Sequence, residues 1–138
     1  MIIDNQKERV AKWVCDRAGG NWECCEAIGL ERRGELVGGV IFDNYNGANI
    51  AMHCASDGTK RWLDREFLWF VFYYPFKQLG VRRITSPISE KNIAAQRFIE
   101  NIGFELETTL QDAHPDGDLL IYRMTPAMCR WLSLKGKI

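Results

Sequence analysis

The sequence lacks an excess of charge of either sign. Its 138 residues contain 18 lysines and arginines and 18 aspartates and glutamates, so the formal net charge is zero. Proteins that bind nucleic acid usually carry a strongly basic surface that neutralises phosphates. We therefore expect no nucleic-acid partner. With 46% hydrophobic and 26% charged residues, the composition is typical of a folded globular protein.

Long apolar runs and targeting patterns are also missing. The most extended apolar stretch, Phe67 to Phe76, is about half the roughly 20 residues that a membrane-spanning helix needs. Residues Met1 to Arg9 lack the basic start and apolar middle of a signal peptide. We therefore expect no membrane partner and a cytoplasmic location. The length suits a single domain over residues 1–138.

The cysteines form no pattern of a metal site or of disulfides. There are five, Cys15, Cys24, Cys25, Cys54 and Cys129, and none shows C-x-x-C spacing. The adjacent Cys24 and Cys25 would point to opposite faces of a strand. Reduced, partly buried thiols are the favoured interpretation, and a zinc site or a disulfide is the alternative. We expect no bound metal.

Apolar spacing and turn residues predict a definite order of helices and strands. The turns Arg33-Gly34 and Asn46-Gly47 favour a meander of three strands. The predicted elements are a helix over 5–17, strands over 24–32, 35–44 and 48–56, a helix over 61–78, a strand over 81–88, a helix over 92–102, strands over 104–111 and 119–124, and a short helix from Pro126. Asp4 or Asn5 would cap the first helix, and Asn92 or Ser89 the third. The strand over 104–111 alternates strictly and so predicts an apolar face.

The order α β β β α β α β β α indicates an α/β (α+β) protein. The strands on either side of the helix over 61–78 are joined by a crossover, so we expect them to be parallel. The predicted architecture is a mostly antiparallel mixed sheet with a central parallel strand pair. Ligands tend to bind at the carboxyl ends of parallel strands, beside helix N-termini.

The segment after the third strand could therefore bind an anion. Gly58, Thr59, Lys60 and Arg61 combine a flexible glycine, a hydroxyl and two cations before a predicted helix. These groups suit a pyrophosphate. An ordinary solvated loop is the alternative.

Later residues carry a resemblance to a known family. Asn92-x-x-Ala95, followed by Gly103-Phe104, resembles the signature of the GCN5-related N-acetyltransferase (GNAT) superfamily. The segments 62–76, 80–83, 117–118 and 129–132 are similar to a small phage or prophage branch close to the ribosomal-protein-type acetyltransferases. The similarity covers about residues 36–132. The part that precedes it is shorter than usual for the family.

The resemblance implies acetyl-CoA as the acetyl donor and a set of residues that bind it. The pantetheine would pair with the backbone of Met52, His53 and Cys54, the backbone N–H groups from Gly58 through Thr59 and Lys60 to Arg61 would hold the pyrophosphate, and Asn92 would hydrogen-bond the pantetheine arm. An amine would attack the thioester directly, and a backbone donor near Cys54 would hold the carbonyl oxygen.

The reaction has two proton-transfer roles. His53 is the only histidine or carboxylate in the strand over 48–56, so it is the candidate base. A structural histidine packed beneath a helix is the alternative. Many family members place a tyrosine four residues before the Gly-Phe pair to protonate the thiolate, whereas Ile99 stands here. Water, Tyr122 and Ser86 are the alternatives for that role.

The predicted function is acetyl-CoA-dependent N-acetyl transfer to an amine of a small molecule or a protein. An inactive CoA-binding or interaction module of the same fold is the alternative, because the tyrosine is missing and the phosphate loop has only Gly58. A structural protein that binds no CoA is a third hypothesis. A homodimer through the aromatic helix and Trp131 is a further hypothesis.

Overall fold

The computed structural model describes residues 1–19 and 25–133, in which seven strands form one sheet of order β1-β2-β3-β4-β5-β7-β6. The strands are β1 (Ile2–Ile3), β2 (Glu26–Arg32), β3 (Glu35–Asp43), β4 (Asn49–Ser56), β5 (Arg83–Ser89), β6 (Glu105–His114) and β7 (Gly117–Met124). The helices are α1 (Lys7–Ala18), α2 (Arg65–Tyr73) and α3 (Ile93–Asn101). A π-helical turn (Tyr74–Gln78) follows α2, and a 3-10 turn (Pro126–Met128) follows β7. The α/β class and the central parallel pair, β4 and β5, are confirmed.

Helix α1 packs on one face of the meander because two strand glycines let it approach closely. A Cβ atom on Gly29 would lie 2.9 Å from Val10, and one on Gly39 would lie 2.9 Å from Val14. The prediction that Asp4 or Asn5 caps this helix is wrong. Its N-cap is Gln6, which makes no side-chain capping hydrogen bond. Cys24, in the first predicted strand, lies outside the described residues.

Helix α2 packs on the opposite face and supplies much of the main core. Its buried side chains are Phe67, Leu68, Val71 and Phe72. The predicted start near Arg61 is wrong, because the Asp64 carboxylate accepts a hydrogen bond of 2.8 Å from the Phe67 N–H and fixes the first turn at Arg65. Pro75 lies in the π-helical turn, where its missing N–H is accommodated by a wider turn.

Strand β6 differs from its prediction. Leu106 and Leu110, which the alternation places on the predicted apolar face, are 53% and 44% exposed. A register shift between Leu106 and Thr108 interrupts the alternation, and the strand lies at the edge of the sheet. The final helix is also shorter than expected, since only Pro126–Met128 are helical there. The two-residue β1, which pairs with β2, had no sequence signal.

The parallel pair opens along its length. Three residue pairs join β4 to β5, Asn49 with Arg83, Ile50 with Ile84, and Ala51 with Thr85. Beyond them β4 runs on to Ser56, pairing only with β3 in the described part of the chain. On its other edge β5 pairs with β7 from Ile84 to Ser89, and beyond Thr85 this is its only strand pairing in the described part of the chain. The two strands therefore diverge towards their carboxyl ends. Among the described helices, none is both long and apolar enough to cross a membrane.

Candidate active site

The divergence of β4 and β5 creates a wedge in the middle of the sheet. Ser86, fully buried on β5, donates its hydroxyl hydrogen bond of 2.8 Å to the backbone oxygen of Met52 on β4. This contact lies directly after the last ladder pair, Ala51 with Thr85. A side chain thus replaces the backbone pairing where the wedge begins. On the β5 side, the backbone of β4 beyond Met52 pairs with no strand among residues 1–19 and 25–133.

A small cavity of about 110 Å³ lies at this wedge. It is lined by residues from β4 and the loop after it, from α3 and from the end of α1. These are Arg17, Ala18, Cys54, Ala55, Ser56, Gly58, Asn92, Ala94, Ala95 and Phe98. The cavity therefore brings together Cys54, Gly58 and Asn92, three residues that the sequence assigned to cofactor binding.

The loop over 57–61 is held by its own side chains. The Asp57 Oδ1 atom accepts hydrogen bonds from the N–H of Thr59 (3.0 Å) and from the hydroxyl of Thr59 (2.6 Å). Arg61 donates from its guanidinium to the Asp57 Oδ2 atom at 2.5 Å. Burial alone would raise the pKa of the Asp57 carboxyl, but the hydrogen bonds from Thr59 and the charge of Arg61 outweigh it and lower that pKa. Lys60 is exposed beside this network.

Both ends of this loop are anchored. The Asp57 N–H donates to the backbone oxygen of Val37 on β3 at 3.0 Å. At the other end Trp62 is 5% exposed and its ring stacks on Phe98 of α3, with centroids 3.8 Å apart. A Cβ on Gly38 would lie 2.8 Å from the Cβ of Trp62, so this glycine makes room for the indole. The loop is therefore tied to the sheet and to α3.

His53 lies on the α1 side of β4, within the segment past the last β5 pair. Its Nε2 atom is 3.1 Å from the Asp43 Oδ1 atom, and only 11% of the side chain is exposed. Burial lowers the pKa of His53 below its usual 6.5, although Asp43 opposes the shift. His53 is therefore neutral at pH 7. Because a carboxylate only accepts, Nε2 carries the ring proton and Nδ1 the lone pair.

Asn92 begins α3 as the sequence predicted. Its Oδ1 atom accepts a hydrogen bond of 3.1 Å from the Ala95 N–H, so the side chain caps the helix. Ser89, the alternative cap, accepts instead from the Lys91 N–H. The Asn92 carbonyl oxygen therefore has a structural role, while the residue also lines the wedge cavity.

The candidate proton donors for the thiolate are placed differently. Ile99 is fully buried in the core. Tyr122 lies on β7 opposite Ser86, and its hydroxyl donates to the Glu100 carboxylate at 2.7 Å. Burial, together with Glu100, raises the pKa of Tyr122 to about 12. Ser86 donates to Met52. Both hydroxyls thus already have acceptors.

Sequence reasoning missed several residues of the site. Arg17 lines the cavity, and its guanidinium lies 3.8 Å from the centroid of the Trp13 ring. Neither Phe98, which lines the cavity, nor Asp43, which contacts His53, had a predicted role in a site. Asp43 could have been found from the meander, because the Asn46-Gly47 turn brings the strand containing Asp43 beside His53. Arg17 had no such signal.

The sequence of residues 4–121 matches the family model described as the acetyltransferase (GNAT) domain. The chain belongs to the GNAT acetyltransferase family. This membership confirms the superfamily resemblance and the prediction of an acetyltransferase. No curated protein matches the sequence.

Solved structures share the GNAT fold at low sequence identity. Mutant forms of the spermidine/spermine N-acetyltransferase SpeG from Vibrio cholerae are 13% identical, with a TM-score of 0.69 over 96% of this chain and 97% of that one. The IAA acetyltransferase from Bacillus cereus ATCC 14579 is 11% identical, with a TM-score of 0.71 over 91% and 98% of the two chains. A GNAT-family acetyltransferase from Bacillus anthracis is 19% identical, with a TM-score of 0.56 over 72% of this chain and 65% of that one. This GNAT chain thus spans just under two thirds of the length of the Bacillus anthracis protein.

Proposed function

We propose that this GNAT chain transfers an acetyl group from acetyl-CoA to an amine of a small molecule or a protein. The observation that carries the proposal is the wedge between β4 and β5, with a cavity at its opening that Cys54 lines and a buried, neutral histidine next to Cys54 in β4. Acetyl-CoA would supply an activated acetyl thioester. Three of the structural neighbours are named as forms of the spermidine N-acetyltransferase SpeG, which supports an amine as the acceptor.

The donor would be held along β4 and by the loop after it. The backbone of Met52, His53 and Cys54 lies past the last β5 pair, where it would pair with an extended pantetheine, and the Met52 oxygen would have to share or exchange its bond from Ser86. The pyrophosphate would lie at the loop from Gly58 to Arg61, with Thr59 and Lys60 between them. The observations that support this fit are the cavity lined by Gly58 and Asn92 and the cationic side chains beside it.

His53 would act as the base. A protonated amine has no lone pair for attack, so a proton must leave it before the N–C bond forms and the C–S bond breaks. The neutral His53 accepts that proton on its ring, while Asp43 holds the ring through Nε2 and stabilises the charged form. The departing thiolate takes a proton from water or from one of the two hydroxyls, Ser86 or Tyr122.

A catalytically inactive CoA-binding module is the second candidate, because both hydroxyls are already hydrogen-bonded to other acceptors.

The test begins with calorimetric titration of the whole protein with acetyl-CoA and CoA. Acetyl transfer to a panel of polyamines, aryl amines and peptides is then measured for wild type and His53→Ala. We expect micromolar binding and a loss of about 100-fold or more in kcat/KM for the variant. His114→Gln, at the end of β6, is the matched control and should keep wild-type activity. The wild-type kcat/KM should decline only below pH 6.5, because burial lowers the pKa of His53.

Each result separates the candidates. Absence of binding at millimolar acetyl-CoA would contradict both the enzyme and the inactive module. Binding without acetylation of any amine would favour the inactive module. Full activity in His53→Ala would remove the base from the mechanism but leave the transferase. The phage or prophage branch, the cytoplasmic location and the homodimer stay predictions.

A further inference from the structure

In the loop proposed to bind the pyrophosphate, backbone N–H groups are already hydrogen-bonded to side chains of the same segment. The N–H groups of Gly58, Thr59 and Arg61 donate to Ser56 Oγ (3.2 Å), Asp57 Oδ1 (3.0 Å) and Thr59 Oγ1 (3.2 Å). These are three of the four backbone donors that the sequence assigned to the pyrophosphate. An incoming phosphate must therefore exchange with partners inside the loop.

The central acceptor in this network is a carboxylate, which resembles a phosphate in charge and in hydrogen bonding. Both Asp57 oxygens are engaged, one by Thr59 and the other by the Arg61 guanidinium. The Asp57 side chain is 16% exposed, and its backbone N–H is bonded to Val37 of β3. The carboxylate is therefore held in place by the sheet. Hydrogen bonds to an ionised acceptor are about twice as strong as neutral ones.

We propose that Asp57 is an internal competitor for the anionic part of acetyl-CoA, which limits the affinity of this loop for the donor. This inference rests on the proposed function, since it assumes that the loop receives the pyrophosphate. In the free protein Asp57 accepts from Thr59 and Arg61. On binding, the phosphates take these donors and the Asp57 carboxylate must give them up. Arg61 thereby exchanges one anion for another.

This competition has a quantitative consequence. When only a fraction of the protein has its donors available, the measured dissociation constant is larger than the intrinsic one by the inverse of that fraction. Removing the Asp57 charge also removes its repulsion of the phosphates. Asp57→Asn keeps an oxygen that can accept from the Thr59 N–H, so the turn is preserved while the charge is lost. We therefore expect Asp57→Asn to bind CoA about tenfold more tightly than wild type.

The experiment compares two ligands and two variants by calorimetry. CoA carries the phosphates, whereas pantetheine has the same arm without them. Asp57→Asn should tighten binding of CoA and leave binding of pantetheine unchanged. Asp116→Asn is the control, because it removes the same charge at a β6–β7 turn residue whose side chain is 73% exposed. Its CoA affinity should equal that of wild type. Thermal unfolding of each variant checks that the fold is retained.

The outcomes distinguish the inference from the proposed function. If wild type binds CoA and Asp57→Asn binds it equally or less tightly, Asp57 is a shaping residue of the loop and the competition is overturned. If Asp57→Asn tightens CoA and pantetheine alike, the effect does not involve the phosphates and the inference is again overturned. If neither protein binds CoA at millimolar concentration, the proposed function is contradicted, and so is the inference that rests on it. Should Asp57→Asn fail to fold, Asp57→Ser replaces it, and its CoA affinity is compared with that of wild type by the same criteria.

Discussion

The two ends of the β4–β5 pair belong to the same strands, but the strands pair at one end and separate at the other. At the amino-terminal end, which we call the closed end, Asn49 to Ala51 pair with Arg83 to Thr85. Side chains reinforce that ladder, since the Thr85 hydroxyl donates to Asn49 Oδ1 at 2.6 Å. At the carboxyl-terminal end, the open end, β4 and β5 are bridged by the Ser86 hydroxyl and then separate.

This difference shows how one sheet provides both stability and a binding edge. The closed end satisfies its polar groups within the protein and packs Ile50 into the core at 2% exposure. The open end leaves the β4 backbone beside a cavity and places His53 on its α1-side face. A ligand can pair with a strand only where a neighbouring strand is missing. The strand pairing at the closed end must therefore fix the position of the β4 backbone at the open end, where a ligand would bind.

The largest effect is expected from breaking the closed end at its core. Ile50→Ala removes a side chain that is 2% exposed, so the free energy of unfolding should fall by about 2–5 kcal/mol. Urea denaturation measures the change. Ile93→Ala on α3, where the side chain is 51% exposed, is the matched control and should change stability by no more than about 0.5 kcal/mol. A similar loss in both variants would show that the closed end is not a special source of stability.

A smaller effect is expected at the point where the strands begin to separate. Ser86→Ala removes the buried donor to the Met52 oxygen, and leaving that acceptor without a partner should cost about 1–3 kcal/mol. Ser133→Ala removes an exposed hydroxyl near the end of the described chain and serves as the control. Urea denaturation of both is the measurement. An unchanged midpoint for Ser86→Ala would mean that the bridge contributes nothing to joining the strands.

The smallest effect is expected from the polar contact at the last ladder pair. Thr85→Val keeps the shape of the side chain but removes the hydroxyl that bonds Asn49. Since Thr85 is only partly buried, water replaces part of the lost contact, and the expected loss is about 0.5–1.5 kcal/mol. The same denaturation experiment reports it. A loss larger than that of Ser86→Ala would reverse the comparison between the two ends.

Much of the fold could be predicted because its signals are local. The order of helices and strands follows from apolar spacing and turn residues, and the cap at Asn92 follows from the residue type at a helix start. The start of α2 was misplaced because Asp64, rather than a residue near Arg61, fixes its first turn. The exposure of Leu106 depends on its strand lying at the sheet edge, which periodicity alone does not report.

The candidate site was predictable in its residue types and not in its contacts. His53 and the loop from Gly58 to Arg61 stand out by chemistry beside a predicted parallel strand. Their partners depend on pairing: Asp43 reaches His53 across the β3–β4 hairpin, and Arg17 comes to the wedge only through the packing of α1. The engagement of the loop donors by Asp57 is a matter of side-chain conformation, which the sequence pattern does not specify.

The sequence by itself determined the order of elements after β1, the family and the chemical character of the candidate groups, because these depend on spacing and residue type over short stretches. Only the tertiary structure decided where β4 and β5 part, which groups face the cavity, and that Asp57 occupies the donors of the loop. Those features arise when segments far apart in the chain compete for the same hydrogen bonds and the same space. Residues as distant as Arg17 and Phe98 become neighbours only when α1 and α3 pack on the sheet.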